Sequence, residues 1–243
     1  MHFRILTIFP GFFHGILEHG VVSRAIKSDL VQVTMHDLRD WTHDRHKTVD
    51  DRPFGGGEGM LMKPEPIFDA VESIWPARSP EQKVVLLSAQ GRLFHQETAQ
   101  ELVQSNELLF ICGRYEGVDE RVAQHLADYE LSIGDFVLSG GELAAALMID
   151  VVARLVPGVL GNDASAVFES FQRDGQGQAI LDCPQFTRPA NFRGWPVPEI
   201  LLGGNHAEIR KWRRQAALEK TMRNRPDLLS CATIEVLEKS SHV

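Results

Sequence analysis

KVVLLSAQGRLFHQETAQELVQSNELLFICGRYEGVDERVAQHLADYELSIG, residues 83–134, decides the fold. It contains three short apolar runs of strand length, KVVLLSA from Lys83, ELLFICG from Glu107 and DYELSIG from Asp128. Between them, 93–105 and 118–127 space their apolar residues as helices do. Strand, helix, strand repetition is satisfied by a mostly parallel sheet with helices packed on its faces. Outward from this stretch, FRILTIF from Phe3 and VQVTMHD from Val31 supply further strands, so 1–160 reads as one α/β domain. A polar, glycine-rich stretch over 39–59 interrupts the rhythm, and a loop of that length in a compact domain is usually functional or mobile. Periodicity stops after Gly161, so 161–182 reads as a flexible interdomain linker. The remaining 183–243 reads as a small helical domain. There Ile209, Trp212 and Ala216 keep three-to-four spacing among Arg210, Lys211, Arg213 and Arg214, the pattern of an amphipathic basic helix.

The 243 residues are 43% hydrophobic and 24% charged, an ordinary globular balance. The net charge of -8 excludes a generally basic nucleic-acid coat. Its distribution is uneven: 205–225 holds seven Lys or Arg against two Glu, a local +5 that leaves -13 for the remainder. That asymmetry permits a local phosphate-binding face, and a solvated charged helix accounts for it equally well. MHFRILTIFP at the start has no long apolar core or cleavage site of a signal peptide. The most apolar stretch, 143–160, is broken by Asp150 and Arg154 and reads as a buried helix rather than a membrane span. These features predict a cytoplasmic protein with no membrane partner. Cys112, Cys183 and Cys231 are odd in number and too far apart for a zinc site or redox pair, so they read as small buried hydrophobes.

Three glycine-bearing segments follow strand-like runs: LLSAQGR at 86–92, CGRYEGVDER at 112–121 and SIGDFVLSGGEL at 132–143. Ligands of parallel α/β sheets gather at the carboxyl ends of strands, and three such loops could line one pocket. For any single loop, glycines that merely cap strands and helices explain the residues better. No loop ends in Gly-Lys-Ser or Gly-Lys-Thr, and no G-x-G-x-x-G follows the first strand, which disfavours an ATPase, a dehydrogenase and the common Rossmann methyltransferase. FGGGEGM at 54–60 follows a polar loop and lacks a phosphate-binding lysine.

Taken together, DDRPFGGGEGM at Asp50, LSAQGR at Leu87, CGRYEGVDERV at Cys112, SIGDFVLSGGE at Ser132 and LDCPQFTRP at Leu181 resemble the bacterial tRNA (guanine-N1)-methyltransferases of the SPOUT superfamily. The match runs in order over almost the whole chain. The resemblance implies a deep trefoil knot in the α/β domain, S-adenosylmethionine held by the knot loops, and a homodimer. In that dimer the cofactor pocket of one subunit is completed by the linker and carboxy-terminal domain of the other. It also implies methyl transfer to N1 of the guanosine at tRNA position 37, with guanosine preferred at 36, preserving the reading frame.

Carried over by motif, the cofactor residues are Leu87, Ser88, Gly113, Glu116, Ser132, Ile133, Gly134, Asp135, Phe136, Val137, Leu138, Gly140 and Gly141. For Ile133, Val137 and Leu138, plain core packing is the competing explanation. The resemblance assigns tRNA contacts to Asp50, Arg52, Gly59, Ser165, Ser170 and Asp182. To these the basic helix adds Arg210, Lys211, Arg213 and Arg214. Guanine N1 carries a proton at neutral pH, so its methylation needs a base, and the resemblance assigns that role to Glu169. A cation facing the 6-oxo group would stabilise developing charge, and Arg154 matches it. Mg2+ is a further cofactor that the resemblance suggests. The chain departs from the family in having Ala89 for Pro, Leu86 and Phe54 for Tyr, Glu58 for a small residue or Pro, and Glu169 for Asp, in a longer linker. Two rival functions follow: another SPOUT enzyme methylating a ribose hydroxyl or a different base, and a catalytically inactive RNA-binding relative.

Overall fold

The computed structural model describes residues 1–161, 169–171, 179–230, 233, 234 and 237. Two compact units divide the chain, Met1–Gly161 and Asn162–Val243.

In the first unit, strands β1 (His2–Thr7), β2 (Gln32–Asp37), β5 (Gln82–Leu93), β6 (Glu107–Cys112) and β7 (Tyr129–Ser132) form one sheet. Their order is β2-β1-β6-β5-β7, and every pairing is parallel. A short ladder of β3 (Asp50–Asp51) and β4 (Leu61–Met62) stands apart. Five helices follow strands in the expected alternation: α2 (Gly20–Lys27), after the single turn α1 (His14–Glu18), then α3 (Pro64–Ile74), α4 (Gln96–Leu102), α5 (Glu120–His125) and α6 (Glu142–Ala153).

Alternation along the strands sorts side chains into two cores. Phe3, Ile5, Val85, Leu87, Leu108 and Phe110 pack with Ala145, Met148 and Ile149 of α6 on one face. Leu6, Val84, Leu86, Leu109 and Ile111 pack with Ile67, Ala70 and Val71 of α3 on the other. Because both faces are covered, β6 is buried from Leu108 to Cys112 and reads as an unbroken apolar run.

One expectation needs correction. LLSAQGR is not simply a loop: β5 continues through it, with the pairing partner of Leu131 jumping from Leu87 to Arg92. Gly91 permits the passage, since a Cβ there would lie 2.5 Å from the backbone of Glu130 and Leu131. Glycine and polar residues signalled a turn, but here the glycine serves close backbone approach.

In the second unit, β8 (Asn191–Phe192) and β9 (Trp195–Pro196) form a hairpin, followed by the 19-residue helix α7 (His206–Asn224). Asn205 caps α7, its Oδ1 accepting from the amides of Ala207 and Glu208. Ala217 and Thr221 are buried, Ile209, Trp212 and Ala216 are half-buried, and Arg210, Lys211, Arg213 and Arg214 are exposed. Thr221 Oγ1 ties the helix to the preceding segment, accepting from Leu181 N at 3.0 Å.

Candidate functional site

The carboxyl ends of β6 and β7 lie on either side of residues 86–92 of β5, so the chain segments that leave β6 and β7 converge beside that stretch. Gly141 N donates to Gly113 O at 2.9 Å, and Arg114 and Gly140 form an antiparallel bridge, joining the second segment to the third. Ser132 Oγ donates to Gly134 O at 3.0 Å and folds the start of the third segment back on itself. These segments enclose a cavity of about 220 Å³. Its lining includes twelve of the thirteen residues expected to hold a cofactor, the exception being the exposed Asp135. Val137 is 89% exposed, so core packing does not explain it. Gly117 lies in the left-handed region at φ 127°, and a Cβ there would meet nothing within 4 Å, so the glycine keeps that part of the lining open.

An ion pair between half-buried Arg114 and buried Glu142 braces the cavity wall. Glu142, 1% exposed at the first turn of α6, accepts from Arg114 Nε at 2.9 Å and from Thr7 Oγ1 at 2.7 Å. Arg114 also donates to Ser139 O at 3.1 Å and lies over the Phe9 ring at 4.6 Å. The end of β1 is thereby tied to both glycine-bearing segments after β6 and β7. Both charged residues stand inside quoted motifs, but nothing in the sequence pairs positions 28 residues apart. Burial, with Glu142 nearby, pushes the Cys112 thiol well up, leaving it a protonated apolar filler rather than a nucleophile.

The FGGGEGM loop is stitched to the same wall. Glu116 N donates to Met60 O, Met62 N to Gly117 O and Asp119 N to Met62 O, each at 3.0 Å. Gly59 lies so close to Glu116 that a Cβ would sit 2.5 Å from its carboxylate oxygen. Asp50, paired with Met62, is half-buried, and Arg52 is exposed. Among the described residues no cluster of three or more His, Cys, Asp or Glu could hold a metal.

Arg154 caps the C-terminus of α6 and is half-buried. In the second unit, Glu169 is half-buried, and its neighbour Ser170 accepts through Oγ from Asp182 N at 2.9 Å, which brings two of the expected RNA-contacting residues together. Ser165, and the linker carboxylates Asp163 and Asp174, lie outside the described residues.

Residues 1–231 match the family model described as tRNA (Guanine-1)-methyltransferase. The chain is 56% identical to the tRNA (guanine-N(1)-)-methyltransferase of Koribacter versatilis, across 96% of this chain and 94% of that protein. It is 52% identical to the enzyme of that name from Geobacter metallireducens, across 97% and 94%. For the one from Dehalococcoides mccartyi the identity is 48%, across 98% and 94%.

Proposed function

The chain belongs to the tRNA (guanine-1)-methyltransferase family, and from that premise we propose that it methylates ring nitrogen 1 of a guanosine in tRNA. The observation that carries the reading is the convergence of glycine-bearing segments from three adjacent strands on one cavity. In this reading the methyl donor is S-adenosylmethionine, the target is guanosine 37 with guanosine preferred at 36, and the carboxyl half of the α/β unit is knotted in the SPOUT manner. Residues 161–182 serve as the linker and 183–243 as the tRNA-binding domain.

The lining of the cavity suits the donor in its chemistry. Glycines at 113, 117, 140 and 141 keep the lining free of side chains where an adenine edge would approach, and Glu116 contributes a carboxylate to that lining. Bound there, S-adenosylmethionine supplies an electrophilic methyl carbon on a positively charged sulfur. Glu169 would accept the guanine N1 proton as that nitrogen is methylated. Arg154 faces the 6-oxo group and offsets the negative charge that grows there, an interaction stronger in the transition state than before it.

Two copies of the chain act together. Supporting this, Leu143 and Leu147 lie one turn apart on α6, 52% and 42% exposed, and Phe12 is exposed on the neighbouring 10–13 turn. Contiguous exposed apolar residues of this kind mark association surfaces. The site of action is the cytoplasm, where tRNA is processed, and no helix among the described residues is long and apolar enough to cross a membrane.

Labelled methyl transfer to a tRNA transcript with guanosine at 36 and 37 tests the reading, against the same transcript altered at 37. Transfer to the first alone is expected, and Glu169→Gln should slow a single turnover by roughly two to four orders of magnitude. Equal labelling of both transcripts points to a different target. Cofactor binding without any transfer points to an inactive relative.

A further inference from the structure

The hairpin of the second unit carries two aromatic rings that neither core uses. Phe192 of β8 stands opposite Trp195 of β9. The two-residue turn between them, Arg193–Gly194, has φ of 55° and 85°, both in the left-handed region. Such turns match the natural twist of a hairpin and favour Gly at the second place. Gly194 N donates to Asn191 Oδ1 at 3.0 Å and Val197 N to Ala190 O at 2.8 Å, which fixes the hairpin at tip and base.

Directly opposed residues of a hairpin project from the same face. The Phe192 and Trp195 rings accordingly lie 6.1 Å apart at 51°, and the Arg193 guanidinium stands 5.1 Å over the Phe192 ring. Phe192 is 51% exposed and Trp195 67%. The surrounding 183–198 contains Arg188 and Arg193 and no Asp or Glu, with Asp182 and Glu199 at its two borders. Exposed π faces beside the Arg193 guanidinium are complementary to an unpaired nucleobase and its phosphate. Stacking of this kind is sequence-tolerant, because every base offers a π face.

We propose that Phe192, Arg193 and Trp195 form a platform on which an unpaired base of the RNA substrate stacks. The inference rests on the reading of the chain as a tRNA-modifying enzyme and adds a contact made by residues that do not line the cavity. Phe192 and Trp195 supply the stacking faces, and Arg193 meets the adjoining phosphate.

The test uses the full chain and a tRNA transcript, with affinity read by anisotropy. The double variant Phe192→Leu, Trp195→Leu keeps apolar area and removes both π faces, so affinity should fall on the order of ten- to a hundred-fold. Trp195→Phe should stay close to the parent. Titrating tRNA into the parent should quench a component of tryptophan emission that is missing from Trp195→Phe, which tests the contact independently of how the double variant folds. Parent-like affinity in the double variant, or equal quenching in parent and Trp195→Phe, overturns the proposal. A change of oligomeric state in the double variant, seen by light scattering, also overturns it, because the face then belongs to a second copy. A parent that transfers methyl groups while the double variant binds normally refutes the platform alone; a parent that neither binds tRNA nor transfers refutes the family reading beneath it.

Discussion

At Gly141 a Cβ would lie 2.8 Å from Cys112 Cα and 3.2 Å from Gly113 N, both backbone atoms that cannot rotate away. Its φ of -76° suits any residue, so contact rather than conformational freedom demands glycine there. Gly113 differs: its nearest obstacle, at 3.2 Å, is a methyl of Val118, which can move. Gly141→Ala should therefore break the Gly141–Gly113 hydrogen bond and cost about 1–3 kcal/mol, as overpacking usually does. Cofactor affinity should fall with it, while Gly113→Ala should be milder in both respects; calorimetry and thermal melts on the two variants would check this, and matching behaviour would remove the distinction. The sequence marked both glycines, because motifs expose residue types. It concealed the Arg114–Glu142–Thr7 network and the passage at Gly91, because each depends on a partner distant in sequence.

Among the elements, β1, β2 and β6 carry a titratable cluster. Burial, with Arg4 nearby, lowers the pKa of both His2 and His36, and His36 Nε2 has no hydrogen-bond partner among the described residues. The unfolded chain takes up these protons near pH 6.5 whereas the folded chain resists, so their contribution is complete above that pH and is lost as pH falls through the lower folded values. Glu107 acts in the same direction at more acid pH. Burial raises its pKa, but hydrogen bonds from Arg4, Gln82 and Trp75 outweigh this and hold it below the usual 4.5. Melting temperature should fall from pH 7 to pH 5 by roughly 2–4 °C for each kcal/mol lost. Replacing both histidines with Gln should flatten that interval, and an unaltered slope would assign it to other groups. Helix α7 bears on binding instead. Neutralising Arg210 and Lys211 should weaken tRNA binding and reduce the slope of log affinity against log salt by about 1 per phosphate contact removed. A constant slope would identify α7 as a solvated face. Each strand of the five-stranded sheet overlaps an apolar run legible in the sequence, although β5 continues past its run to Leu93; the two-residue strands β3, β4, β8 and β9 had no such signal, since two residues carry no period to read.

For the whole molecule, the exposed leucines of α6 make the oligomer testable. Replacing Leu143 and Leu147 with Glu should yield a monomer by light scattering and, if two copies share the site, abolish methyl transfer while leaving the melting temperature of the first unit nearly unchanged. A dimer that persists would place the interface elsewhere. The strand order has a consequence for synthesis. β1 pairs with β2 on one side but waits on its other edge for β6, which is completed about 75 residues after β2 ends. At roughly 5–20 residues per second, the nascent chain leaves the ribosome with that edge and its apolar side chains uncovered for about 4–15 seconds. Through that interval the growing polypeptide is a client for holding chaperones, and slower decoding between codons 38 and 112 would lengthen its exposure to aggregation.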